Sequence, residues 1–238
     1  MQPMSASRRE RQTRRASLLI KAIAILIAAI ALISCSGSPP RIAGMYRQLA
    51  VIDNRTINAR YEQLSVFVQP VDEDGFSDLA RLYLINDRLH LFWSLSPDTW
   101  ERRGNHNQQW IGSNNITMSD GSAFPRGEYR VVLIDLSGSR DERTFVIDQP
   151  ELAGGSLTFP SLAIREQSVS VTSLLPAVTV SVIDPVGSFS ARREVPVGSV
   201  PLTTIMGKEP EPGRRYDLYA SVFDSKHRVE LVTGPYPY

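Results

Sequence analysis

The stretch Pro125-Arg-Gly-Glu-Tyr129-Arg-Val-Val-Leu-Ile134, then Ser137-Gly138 and Arg143-Thr-Phe-Val-Ile147, reads as two β-strands joined by a tight turn. β-Branched and aromatic residues suit a pleated, half-buried surface, and Ser-Gly supplies turn geometry. Upstream the same texture continues. Leu64-Ser-Val-Phe-Val-Gln69 predicts a strand closed by the acidic turn Asp72-Glu-Asp-Gly75, and Leu79 to Ile85 a second closed by Asn86-Asp87. Leu89, Leu91, Trp93 and Leu95 share one face, with His90, Phe92 and Ser94 on the other. Trp110 to Met118 supplies one or two more strands, so six or seven short strands fall within about 100 residues, the density of a β-sandwich.

Downstream the plan repeats. Pro212-Gly-Arg-Arg-Tyr216 opens a strand with Leu218, Ala220 and Val222 on one face, and Asp224-Ser-Lys226 turns it into Arg228-Val-Glu-Leu-Val232. Ser168-Val-Ser-Val171 and the alternating Val178, Val180 and Val182 precede it. The prolines at 185, 196, 201, 210 and 212 belong in turns or at edges. Gln149-Pro150 through Gly154-Gly155 is the expected junction, and Gly234-Pro-Tyr-Pro-Tyr238 a loose tail or the end of a last edge strand. No mature segment keeps a capped helical period for three turns; one short helix is expected over Ile42 to Leu49.

A tryptophan on a middle strand and a late strand introduced by Pro125-Arg-Gly-Glu-Tyr129 resemble immunoglobulin-like and fibronectin type III domains. The resemblance covers roughly residues 60–148 and implies that Tyr129 occupies the tyrosine-corner position, its hydroxyl tying the strand to the preceding crossover. With a single cysteine the disulfide of antibody domains is absent. The expected fold is all-β: two tandem antiparallel sandwiches, over residues 45–149 and 150–238, after an N-terminal signal-peptide helix.

The formal charge of +1 over 238 residues averages two unlike pieces. Residues 1–34 hold six basic side chains against Glu10 alone, a local +5, and the remainder is −4. After the arginines comes Ala22-Ile-Ala-Ile-Leu-Ile-Ala-Ala-Ile-Ala-Leu-Ile33, twelve apolar residues that would span about 18 Å as a helix, short of a hydrocarbon core of about 30 Å. A basic region, a short apolar run and then small residues is the layout of a secretory signal peptide. Thr13-Arg14-Arg15-Ala16-Ser17-Leu18 partly resembles a twin-arginine signal, but an ordinary basic region reads better. Leu32-Ile33-Ser34-Cys35 resembles the lipobox of bacterial lipoproteins. That resemblance implies cleavage between Ser34 and Cys35 and diacylglycerol on Cys35, leaving 35–44 as a lipidated tether. Two or more acyl chains make a stable anchor. Ser36, where aspartate would favour inner-membrane retention, leans the expectation towards the outer membrane.

Chemistry-bearing patterns are few. Asp72-Glu-Asp-Gly75 with Asp78 fails as an EF-hand, because Pro70 takes the first ligand position and Arg81 the last. A partial oxygen-ligand loop at a sandwich end stays open beside the plain reading of a polar turn. His90, His106 and His227 are isolated, with no HExxH or CxxC, no GxSxG elbow and no phosphate-binding glycine loop, so neither metal nor cofactor is expected. Asn54-Arg-Thr56 and Asn115-Ile-Thr117 match the glycosylation sequon, without meaning in a bacterial lipoprotein. In Trp100-Glu-Arg-Arg-Gly-Asn-His-Asn-Gln-Gln-Trp110 two tryptophans bracket amides. Trp100, Asn105, His106, Gln109 and Trp110 are the candidate ligand residues: flat rings stack on sugars, and amides hydrogen-bond to them. The plainer alternative packs both rings against the sandwich. Arg102 and Arg103 equally suit anionic headgroups or an acidic partner.

The functional expectation is therefore a non-catalytic envelope lipoprotein, held to the membrane by the lipid on Cys35, whose sandwiches contact protein or serve structure. Glycan or peptidoglycan binding through Trp100 to Trp110 is the alternative, and an envelope enzyme with a site between domains the third. The near-zero net charge argues against a nucleic-acid partner.

Overall fold

A computed structural model describes residues 37–105, 108–152, 157–186 and 190–238. The signal peptide with Ser34 and Cys35 lies outside the described residues, as do His106 and the glycine pair Gly154-Gly155. Strands dominate: β1 (Arg41–Asn54), β2 (Ala59–Val71), β3 (Leu79–Asn86), β4 (Leu91–Leu95), β5 (Glu101–Asn105), β6 (Gln108–Thr117), β7 (Gly127–Asp135) and β8 (Arg140–Ile147) come first. The later set is β9 (Ser161–Arg165), β10 (Ser168–Thr172), β11 (Ala177–Ile183), β12 (Ser190–Pro196), β13 (Gly198–Pro201), β14 (Asp217–Asp224) and β15 (Val229–Pro237). Among the described residues a short α-helix, α1 (Leu202–Met206), packs Leu202, Ile205 and Met206 against β11, β12 and β13. Among the described residues no helix is long and apolar enough to cross a membrane.

The all-β expectation holds, with the layering of a β-sandwich. An eight-stranded sheet runs β12-β11-β14-β15-β1-β2-β6-β5, a four-stranded sheet β4-β3-β7-β8 and a three-stranded sheet β13-β10-β9. Contacts of β8 with β1 and of β4 with β6 set the four-stranded sheet over one half of the long sheet. β9 meets β15, which brings the three-stranded sheet to the other half. Alternation explains the burial: Tyr129, Val131 and Leu133 of β7 face inward at 1% exposure or less, opposed across the layer by Leu64, Val66 and Val68 of β2. The core is a single hydrophobic cluster that continues into Val180, Leu218 and Val229 of the later strands.

The long sheet is continuous because β1 lies between β2, antiparallel, and β15, parallel, with Ala50 opposite Glu230 and Asn54 opposite Gly234. This corrects the expected helix over Ile42 to Leu49. A bulge between Ile42 and Gly44 shifts the alternation, so Ile42, Met45 and Leu49 all reach the core at what looks like helical spacing. The C-terminal segment is not loose: β15 carries it to Pro237, paired with β14 to that end and with β1 as far as Gly234. At the centre of the β2/β6 pair Gly112 has no substitute, since a Cβ there would stand 2.0 Å from the Val66 carbonyl oxygen.

The late hairpin forms as read, with β7 and β8 paired from Gly127–Ile147 to Ile134–Arg140 and Gly138 at φ +86° in the turn. Tyr129 donates its hydroxyl proton to the Pro125 carbonyl at 2.8 Å. Trp93 packs beside Tyr129 and Phe124 and donates Nε1–H to Thr117 of β6 at 2.9 Å, joining the two layers.

Candidate functional site

Three places gather polar or exposed groups. The first is the end of the sandwich beside Ser38 and the start of β1. β2 ends at Val71, one residue before Asp72; Asp78 closes the short turn that opens β3; and the β3/β7 register sets Leu79 opposite Asp135. One carboxylate oxygen from each of Asp72, Asp78 and Asp135 thus lies within 4.8 Å of the others. Asp135 is 2% exposed. Its Oδ1 accepts from Ser137 Oγ and Ser139 N, each at 2.8 Å. Desolvation, and then the facing charges of Asp72, Asp135 and Asp74, hold the Asp78 carboxyl above its ordinary range. The segment before β1 is fastened to the same loop: Ser38 N–H donates to Asp74 at 2.7 Å and Ser38 Oγ to Glu73 at 2.9 Å. Sequence reading found Asp72 and Asp78 but not Asp135. Its one signal, an acid ending a core strand before Leu136-Ser-Gly-Ser139, means nothing until the β3/β7 register is known.

The second place is the tryptophan segment, which is a β5/β6 hairpin rather than a loop. Trp100 is 6% exposed and belongs to the core, where its indole N–H meets no acceptor among the described residues. Trp110 follows the opposite alternation from buried Ile111 and lies on the outer face of the long sheet. Gly44 makes room there: a Cβ at that residue would stand 3.1 Å from the Trp110 ring, with the Gln69 amide next to it. The two rings therefore form no common platform. Gln109 is partly buried on β6, Asn105 is placed only by its backbone pairing with Gln108, and His106 lies outside the described residues. Arg103, expected to suit anionic headgroups or an acidic partner, stacks its guanidinium 4.2 Å from the Phe67 ring centre and pairs with Glu101 at 2.7 Å.

The third place is the outer face of the four-stranded sheet, which sequence reading missed. Leu82, Leu84, Val131 and Leu133 point to the core, so Tyr83, Ile85, Val132 and Ile134 point away from it. Together with Phe92, 69% exposed, they line a groove of about 410 Å³. Its rim is charged. Arg130 bonds Asp87 at 3.0 Å and Glu142 at 2.9 Å, and this hydrogen bonding holds the Asp87 carboxyl below its ordinary range. The signal was available in the Ile85 and Phe92 pair, opposite each other across β3 and β4 on the non-core face.

His90 lines that same groove, and His227 donates or accepts through Nδ1 with Asp224 at 2.6 Å. No known protein family matches the chain, and no curated protein matches it.

Proposed function

We propose that the protein is a lipid-anchored envelope lipoprotein whose tandem immunoglobulin-like or fibronectin type III-like sandwiches act as a non-catalytic module that binds another envelope protein. The observation that carries the binding half is Phe92, 69% exposed above the apolar groove of the four-stranded sheet. An apolar centre ringed by charge is the anatomy of a protein-binding patch, because the rim excludes water from the anchor without adding much energy itself. The Leu32-Ile33-Ser34-Cys35 pattern supports the anchor, with the outer membrane as the favoured address. The glycan reading is the weaker one, since burial of Trp100 removes one of its two stacking faces.

A photoreactive amino acid at position 92, activated in intact envelopes, tests the patch. The expected result is a discrete adduct that is missing when the same probe replaces exposed Lys208; equal labelling at both positions overturns the reading. Intact mass of the native protein tests the anchor, with cleavage before Cys35 and added acyl mass expected. An unprocessed N-terminus would remove that half alone.

A further inference from the structure

We propose that Asp72, Asp78 and Asp135 form a calcium site at the end of the sandwich beside Ser38. Acidic clusters are common on surfaces, and proximity alone decides nothing. Here two carboxylate oxygens are sealed from solvent and unanswered: Oδ2 of Asp135 and Oδ2 of Asp72 accept no hydrogen bond from any described residue. The Asp135 carboxyl is nearly fully buried, its Oδ1 is fixed by the Ser137–Ser139 turn, and it presents an oxygen to the two other acids. Among the described residues none of the three joins an ion pair. A buried charge without a partner is strongly disfavoured, and a bound cation would answer it.

The chemistry selects which cation. All the donors are hard carboxylate oxygens, which suits calcium or magnesium rather than zinc or copper. Calcium takes its oxygens at about 2.3–2.6 Å in a flexible shell, whereas magnesium demands a near-ideal octahedron at about 2.0–2.1 Å and keeps several of its waters, so three acids set by separate segments of the chain suit the looser calcium shell. Three carboxylates with water completing the shell predict affinity in the range of about 10⁻⁴–10⁻³ M found in extracellular modules. Glu73 and Asp74 stand outside the group of three whose oxygens lie together, and their carboxylates bond Ser38 instead.

The full chain in detergent, titrated with calcium chloride, gives the test by calorimetric binding and by melting temperature. Sodium chloride at matched ionic strength and magnesium chloride are the controls. The expected result is saturable binding of one calcium and a melting temperature raised by several degrees. Asp78→Asn is expected to weaken binding roughly tenfold, and Asp74→Asn to leave it within about twofold, since affinity follows ligand charge. Asp135→Asn abolishes binding; because Asp135 also braces its turn, Asp78→Asn decides the matter if that variant does not fold. An equal response to magnesium or sodium, or unchanged calcium affinity in Asp78→Asn, overturns the site. So does a proton shared among the acids, which would give no calcium response.

Discussion

Pro125 to Tyr129 and Pro212 to Tyr216 are two settings of one device. In each, a proline opens the approach to a strand, an arginine meets a buried carboxylate, and a tyrosine hydroxyl bonds back to the preceding backbone. Arg126 grips Glu62, whose side chain is 0% exposed, with two bonds of 2.6 and 2.7 Å, while Arg214 pairs with Asp184, also fully buried. The difference lies in what else the arginine holds. Arg126 also donates to the carbonyls of Phe124, Gln149 and Pro150, so it pins the exit from β8 to Glu62 of β2. Arg214 also pairs with Glu211, an acid whose side chain is 48% exposed. Likewise Tyr129 bonds at 2.8 Å, and Tyr216 accepts from Glu211 N–H at 3.4 Å. The first copy braces a junction, and the second closes a loop.

The largest effect should come from removing the first brace. Arg126→Met leaves the Glu62 carboxylate buried and unpaired, a defect that costs about 3–5 kcal/mol. Arg214→Met strands the equally buried Asp184 and should cost about 3 kcal/mol, the lower end of that range, because Arg126 holds three backbone carbonyls besides its carboxylate. Urea unfolding at constant m value measures both, and equal costs would erase the distinction between brace and closure. Next comes the shared sheet. Leu231 of β15 is 3% exposed beside Val51 of β1, so Leu231→Ala should cost about 2–5 kcal/mol. Trp93, Trp100 and Trp110 all lie in the first half, so their fluorescence reports that half alone. The β1/β15 join predicts that this late substitution lowers the tryptophan midpoint together with the circular dichroism midpoint. A tryptophan midpoint that stays put would show two halves unfolding independently.

That join marks the boundary of what the sequence disclosed. Local features were legible: the alternation of β3, β7, β11 and β14, the hairpin at Gly138 and the tyrosine tie all depend on neighbours a few residues apart. β1 was not, because a bulge gave its core residues helical spacing and its partner β15 lies at the other end of the chain. The calcium ligands divide the same way. Asp72 and Asp78 stood out by clustering, while Asp135 joined them only through strand register. Trp100 to Trp110 looked like an exposed loop because its amides are polar, yet two-residue alternation sends one ring into the core and the other out of it.

The tyrosine ties should separate by a smaller margin. Tyr129→Phe strands the Pro125 carbonyl and should cost about 1 kcal/mol, the net worth of a short buried hydrogen bond; Tyr216→Phe should cost under half that, because its bond is long. The same urea series measures both, and the reverse order would mean that the second tie is the working one.

The smallest difference is in acid sensitivity. On the first half, the hydrogen bond from Arg130, reaching from β7 to the β3–β4 turn, holds Asp87 low. On the second, desolvation pushes Asp224 up, but bonds from the His227 ring, the His227 backbone and Lys226 outweigh it, and the carboxyl also ends low. Both folded carboxyls lose their protons more readily than the unfolded chain's, whose value is near 3.9. Each therefore adds stability that is present in full above that value and disappears as pH falls through the lower folded one. Arg130→Gln should lower the melting temperature by a constant small amount between pH 5 and 7, and the gap to wild type should close towards pH 3. His227→Gln should do the same for Asp224. Salt separates them: the cross-strand charge pair of Arg130 is exposed and should weaken at high ionic strength, whereas the Asp224 carboxylate keeps its backbone donors. A gap that widens in acid for either variant would mean that its carboxyl is held high rather than low.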